Sequence, residues 1–175
     1  TSPKNAALCV EGIEQAMCGY WEDRPGTDFD WQALYHLNSE SYIRQLRQLD
    51  RDFTEMTENA SGNTIIIGDR FPFRYLAHDY GLKYYAAFSG CSSESEPSVY
   101  TMAFLIDKLL DDSSDTVFYL EFSTKKLAEK LSSATGAQML RLHSCHNVSK
   151  DDFKNGVTYI DLMKENLENI REALN

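Results

Sequence analysis

The chain has 175 residues, with 27 acidic against 17 basic side chains and a formal charge of −10. That length can bury one sizeable core. The acidic surplus, with Lys and Arg scattered rather than striped, argues against a nucleic-acid partner, and no run approaches the roughly 20 apolar residues that span a bilayer.

Thr1-Ser2-Pro3 carries no initiator Met, leader or lipidation signal and reads as the middle of a longer or processed chain. The missing signal peptide therefore leaves location open. Ser2 and Pro3 suit the start of a helix. Apolar residues recur from Ala6 to Met17 at helical spacing, and Gly19 is expected to close it. Residues 22–30 form a loop rich in Asp, Pro and Gly. From Trp31 to Asn59 a narrow stripe of Leu34, Leu37, Tyr42, Leu46, Leu49, Phe53 and Met56 predicts one long helix. Such a rod spans about 40 Å, longer than a typical globular helix.

Strand-like and helical runs then alternate four times. Strands are predicted at 64–68, 84–88, 117–122 and 139–142. Helices are predicted at 71–80, 99–110, 124–134 and 159–174. The fold class is α/β: a four-stranded parallel sheet flanked by helices, preceded by one long helix. The organisation expected is a helix and loop over 1–30, the long helix over 31–60, and an α/β unit over 61–175.

The strands run out at Asp69, Cys91, Glu121 and His143, followed by Cys145 and His146. In an open parallel sheet, ligands bind beyond the carboxyl ends of the strands. Imidazole and thiolate suit zinc, and a carboxylate can complete a tetrahedron. His143 and His146, at His-x-x-His spacing, could share one ion if the backbone turns there. Cys145 could donate as well, or pair with Cys91; a disulfide, a metal site and two idle thiols all fit those two cysteines. Cys9 and Cys18 would lie roughly 13 Å apart on one helix, too far for a bond, and read as small apolar side chains. His36 and His78 read as surface residues. No Gly-x-Ser-x-Gly, His-Glu-x-x-His or phosphate-cradling Gly-rich loop is present. A nucleophile–base pair of Cys145 with a neighbouring His remains an alternative for a redox or hydrolytic enzyme.

Several stretches resemble the zinc and manganese receptors of ABC importers. Ser2-Pro3-Lys4-Asn5-Ala6 resembles the segment that follows their Asp-x-His-x-Trp motif. Residues 69–82 (DRFPFRYLAHDYGL) resemble their strand-to-helix motif, a His or Glu followed by x-Ala-Phe-x-Tyr-x-Ala-x-x-Tyr-Gly-Leu. Residues 94–98 resemble the next loop and 117–123 the Phe-x-Glu strand. Thr135-Gly136-Ala137 and residues 159–166 match as well.

The resemblance implies the C-terminal lobe of a two-lobed receptor whose lobes are bridged by the long helix, with metal held between them. It implies zinc ahead of manganese, an ABC permease as partner, no enzymatic activity, and a location in the periplasm or on a cell-surface lipoprotein. The N-terminal lobe and its ligands would precede Thr1, and the fragment alone could be metal-free. The family's fourth-strand Asp falls on His143. Its His or Glu before the short helix falls on Arg70, which cannot ligate, so Asp69, Cys145 or His146 would have to supply that donor. Glu121 is expected to support the site rather than bind metal. A metal-free adhesion or scaffold relative is the other alternative.

Overall fold

The computed structural model describes residues 2–22, 29–88, 97–111 and 115–175. Two helices lead: α1 (Pro3–Glu22) and α2 (Trp31–Asn59). An alternating run follows: β1 (Thr64–Arg70), α3 (Arg74–Asp79), β2 (Lys83–Phe88), α4 (Val99–Asp111), β3 (Thr116–Leu120), α5 (Lys126–Thr135) and β4 (Gln138–Leu142). Then come α6 (Lys150–Lys154) and α7 (Tyr159–Leu174). The four strands are parallel in the order β2-β1-β3-β4. All carboxyl ends therefore share one edge, and the expected fold class holds.

Three consecutive isoleucines explain the two layers. Side chains alternate across a strand. Ile65 and Ile67 join Phe53, Leu76, Phe118 and Met163 on one face, against α2, α3 and α7. Ile66 joins Leu105, Val117 and Leu131 on the other, against α4 and α5. All three are buried, as strands covered on both faces require. Gly68 ends the run because a Cβ there would sit 2.9 Å from the Ala128 Cα. Only glycine lets β1 pass this close to α5.

The buried positions on α2 begin at Ser39 and continue through Ile43, Leu46, Leu49, Phe53 and Met56. The first two turns therefore project past the core, alongside the end of α1. Asp30 caps α2 by accepting the Ala33 N–H at 2.9 Å. Gly19 does not close α1, contrary to expectation. The helix runs on to Glu22 because Trp21 stacks on Trp31 of α2, ring centroids 5.7 Å apart. That contact outweighs the roughly 1 kcal/mol penalty of an interior glycine.

Helix α3 starts three residues later than its apolar pattern predicts. Pro72 biases Phe71 away from helix, and Phe71 and Phe73 are instead buried in the core. Helix α6 was not foreseen; it is a five-residue polar segment with no buried side chain, capped by Ser149. Helix α7 opens with a reciprocal capping box between Thr158 and Asp161.

Candidate metal centre

Just past β4, the chain is fastened from two sides. Asn166 of α7 accepts the His143 N–H at 2.7 Å and donates to the His143 carbonyl at 2.8 Å. Glu121, directly after β3, accepts the Ser144 N–H at 2.8 Å and also the Ser144 hydroxyl. Its carboxylate lies 3.9 Å from His143 Nδ1. Glu121 thus ties the end of β3 to the turn after β4.

His143 is 2 % exposed, and its Nδ1 accepts the Cys145 N–H at 3.0 Å. An amide can only donate, so this bond uses the Nδ1 lone pair. A neutral ring then carries its proton on Nε2. As placed, the imidazole has no lone pair left for a metal. Ligation through Nε2 requires the proton to move to Nδ1 and the Cys145 amide to let go.

Cys145 has φ 59°, a left-handed conformation costly for a residue with a Cβ. The turn separates its neighbours. Cys145 packs its side chain against the core on the α2/α7 side, whereas His146 is exposed. Burial pushes the Cys145 thiol up to about 12. The same apolar surroundings raise Tyr42 of α2 and Tyr159 of α7 above the ordinary tyrosine range, with smaller contributions from Cys145. The Tyr159 hydroxyl is buried and has no hydrogen-bond partner among the described residues. Sequence reasoning missed this tyrosine pair, because its members are far apart along the chain and each reads as an ordinary helix residue.

Asp69 and Arg70 occupy the end of β1. The Arg70 N–H donates to Asp69 Oδ1 at 2.7 Å, and the Arg70 guanidinium lies over Phe88 at 5.7 Å. Among the described residues, no group of three or more His, Cys, Asp and Glu side chains gathers closely enough to hold a metal. His143, Cys145 and His146 share one turn, and Asp69 stands apart from them. Cys91 lies outside the described residues, as does most of the 94–98 loop, and so does the pairing of Cys91 with Cys145. Among the described residues, Cys9, Cys18 and Cys145 form no disulfide with one another. His78 pairs with its neighbour Asp79, at 3.2 Å. His36 is bracketed by Glu14 at 2.8 Å and Glu40 at 3.4 Å. No helix among the described residues is long and apolar enough to cross a membrane.

Comparison with known proteins sets this geometry in a family. The chain is 31% identical over 147 residues to the high-affinity zinc uptake system protein ZnuA of Bacillus subtilis, covering 84% of this chain and 46% of that protein. It is 29% identical over 172 residues to the zinc-binding lipoprotein AdcA of Streptococcus pneumoniae, covering 98% of this chain and 32% of that one. The chain thus spans less than half the length of these relatives. The metal-dependent lipoprotein YcdH of B. subtilis superposes with a TM-score of 0.81 at 29% identity, over 99% of this chain and 62% of that one. The Zn(II)-bound ZnuA-like domain of S. pneumoniae AdcA gives 0.78 at 28%, over 99% and 61%. These relatives are named for zinc uptake, zinc binding and metal dependence, not for catalysis. The profile of the family described as zinc-uptake complex component A, periplasmic, matches residues 1–173, so the chain belongs to the ZnuA family.

Proposed function

We propose that this chain is the C-terminal lobe of a two-lobed, extracytoplasmic zinc receptor that delivers its ion to an ABC permease. The family match across residues 1–173 carries the reading. In this scheme residues 1–30 form a leading helix and loop, residues 31–60 the bridging helix, and residues 61–175 the α/β lobe. The projecting start of α2 supports a bridging role. So does the exposed apolar surface beside it, where Ile13, Met17, Tyr20 and Leu37 are each at least 40 % exposed and fit a face covered by a second lobe.

The ion would sit at the carboxyl edge of the sheet, with the missing donors supplied by the other lobe. His146 is the most accessible donor on this side. His143 would join after releasing the Cys145 amide, and Asp69 would reach in from β1. Cys145 is the weakest of the four, since its buried thiol stays protonated at neutral pH. Imidazole donors favour zinc over manganese. The test is a zinc titration of the chain against a chelating fluorophore. Weak binding is expected, weakened further by about tenfold in His146→Ala. Tight zinc binding unchanged in both His143→Ala and His146→Ala rejects the site.

A further inference from the structure

In the turn after β4, Cys145 folds back onto the residue two places before it. Its N–H donates to His143 Nδ1 at 3.0 Å, and its sulfur lies 3.6 Å from the His143 carbonyl oxygen. A side chain that accepts the amide two residues on closes a small local loop, as in an Asx turn. Here the accepting atom is a ring nitrogen, and the hydrogen bond at one ring nitrogen sets what the other can do.

The closed loop coincides with the left-handed backbone of Cys145, at φ 59°. That conformation is costly for any residue with a Cβ and an outlier for a β-branched one. The backbone just before it is pinned. Asn166 holds both polar groups of His143, and Glu121 holds the Ser144 N–H. Opening or closing the loop therefore falls to Cys145. Its side chain packs against the same core cluster as Tyr42 of α2 and Tyr159 of α7, and this burial offsets the backbone cost in the closed form.

An acceptor for the other ring tautomer is also in reach. The Glu121 carboxylate lies 3.9 Å from His143 Nδ1. A carboxylate that receives one ring N–H is the usual device for aiming the other nitrogen at a metal.

We propose that the Cys145 turn is a latch on the zinc site, with Cys145 as the positioning residue for His143. Closed, the Cys145 amide occupies Nδ1 and the ring proton sits on Nε2. Open, Cys145 leaves the left-handed region. The ring gives its Nε2 proton to water, takes one from water at Nδ1, and donates that N–H to Glu121. The ring stays neutral throughout, and its Nε2 lone pair becomes available to the ion. The inference rests on the proposed role of His143 as a zinc donor and adds what regulates that donor. Apparent affinity is scaled by the fraction of chains in which the latch is open.

The test pairs long-range proton–nitrogen NMR of the His143 ring with zinc titrations of the wild-type chain, Cys145→Gly and Cys145→Val, at mildly alkaline pH. The wild type should carry its ring proton on Nε2 without metal and on Nδ1 at saturating zinc. Glycine enters the left-handed region freely, so Cys145→Gly should keep the closed tautomer and bind zinc about fivefold more weakly. Valine resists that region, so Cys145→Val should carry the proton on Nδ1 even without metal and bind zinc about fivefold more tightly. Both variants remove the thiol, so opposite shifts exclude the loss of a sulfur ligand as their cause. If Cys145→Val does not fold, the fall predicted for Cys145→Gly decides alone. A ring proton on Nδ1 in the metal-free wild type, or equal zinc affinity in wild type and Cys145→Gly, overturns the latch. His143→Ala separates the two readings. Undiminished zinc binding in it rejects His143 as a donor, whereas weaker binding there with no response to Cys145→Gly overturns the latch and leaves the zinc site standing.

Discussion

Asn166 satisfies both backbone polar groups of His143, accepting the N–H at 2.7 Å and donating to the carbonyl at 2.8 Å. Asn166 is fully buried on α7, so its side chain acts as one more rung of pairing beyond the end of β4. Asn166→Leu leaves two buried backbone groups without partners and should cost about 2–4 kcal/mol. Urea unfolding checks this as a lowered midpoint at unchanged slope. A wild-type midpoint would mean that water or a shifted backbone replaces both bonds.

Cys145 separates a metal receptor from a cysteine enzyme. With its thiol pushed up to about 12 by burial, its thiolate at neutral pH is far scarcer than that of an unperturbed cysteine. Timed alkylation with mass mapping should label exposed Cys9 well before Cys145. Rapid labelling of Cys145 at neutral pH would bring back the nucleophile reading.

Tyr159 keeps a buried hydroxyl with no hydrogen-bond partner among the described residues. Removing it sacrifices no hydrogen bond and relieves a desolvated polar group. Tyr159→Phe should therefore be neutral or stabilise by up to about 1 kcal/mol, where loss of a working hydrogen bond would destabilise. Thermal unfolding of the two proteins decides between these.

The clasp between α1 and α2 should respond to pH. Glu14 is held below its usual value by hydrogen bonds from Ser39 and His36. His36 is raised by its bond to Glu14 and by Glu40. The raised histidine contributes fully below its unfolded value of 6.5, and that contribution fades as pH rises through the higher folded value. The lowered carboxylate contributes above 4.5 and fades as pH falls through its lower folded value. The clasp is therefore firmest between about 4.5 and 6.5. Hydrogen exchange of α1 amides should slow in that window, and His36→Ala should flatten the dependence above it. An unchanged profile in His36→Ala would assign the effect to other groups.

Much of the architecture was legible in local pattern. The 64–68 run of apolar residues, the stripe from Leu34 to Met56 and the fourfold alternation of strand and helix each report a period that one face of one element must satisfy. The misreadings have local causes too. Gly19 looked like a stop because its stacking partner Trp31 lies across a loop, and α6 has no apolar period to detect.

The chemistry divides along the same line. Residue types and their order marked candidate donors at the strand ends, and the motifs from Ser2 to Asn166 carried the family. Only the tertiary structure decided which donors face outward. The left-handed turn at Cys145 sends its thiol to the core and exposes His146, while the Cys145 amide occupies the His143 ring. Sequence spacing carries periodicity within an element. Which side chain points where at a strand end depends on a single backbone angle and on partners dozens of residues away, and no local pattern records those.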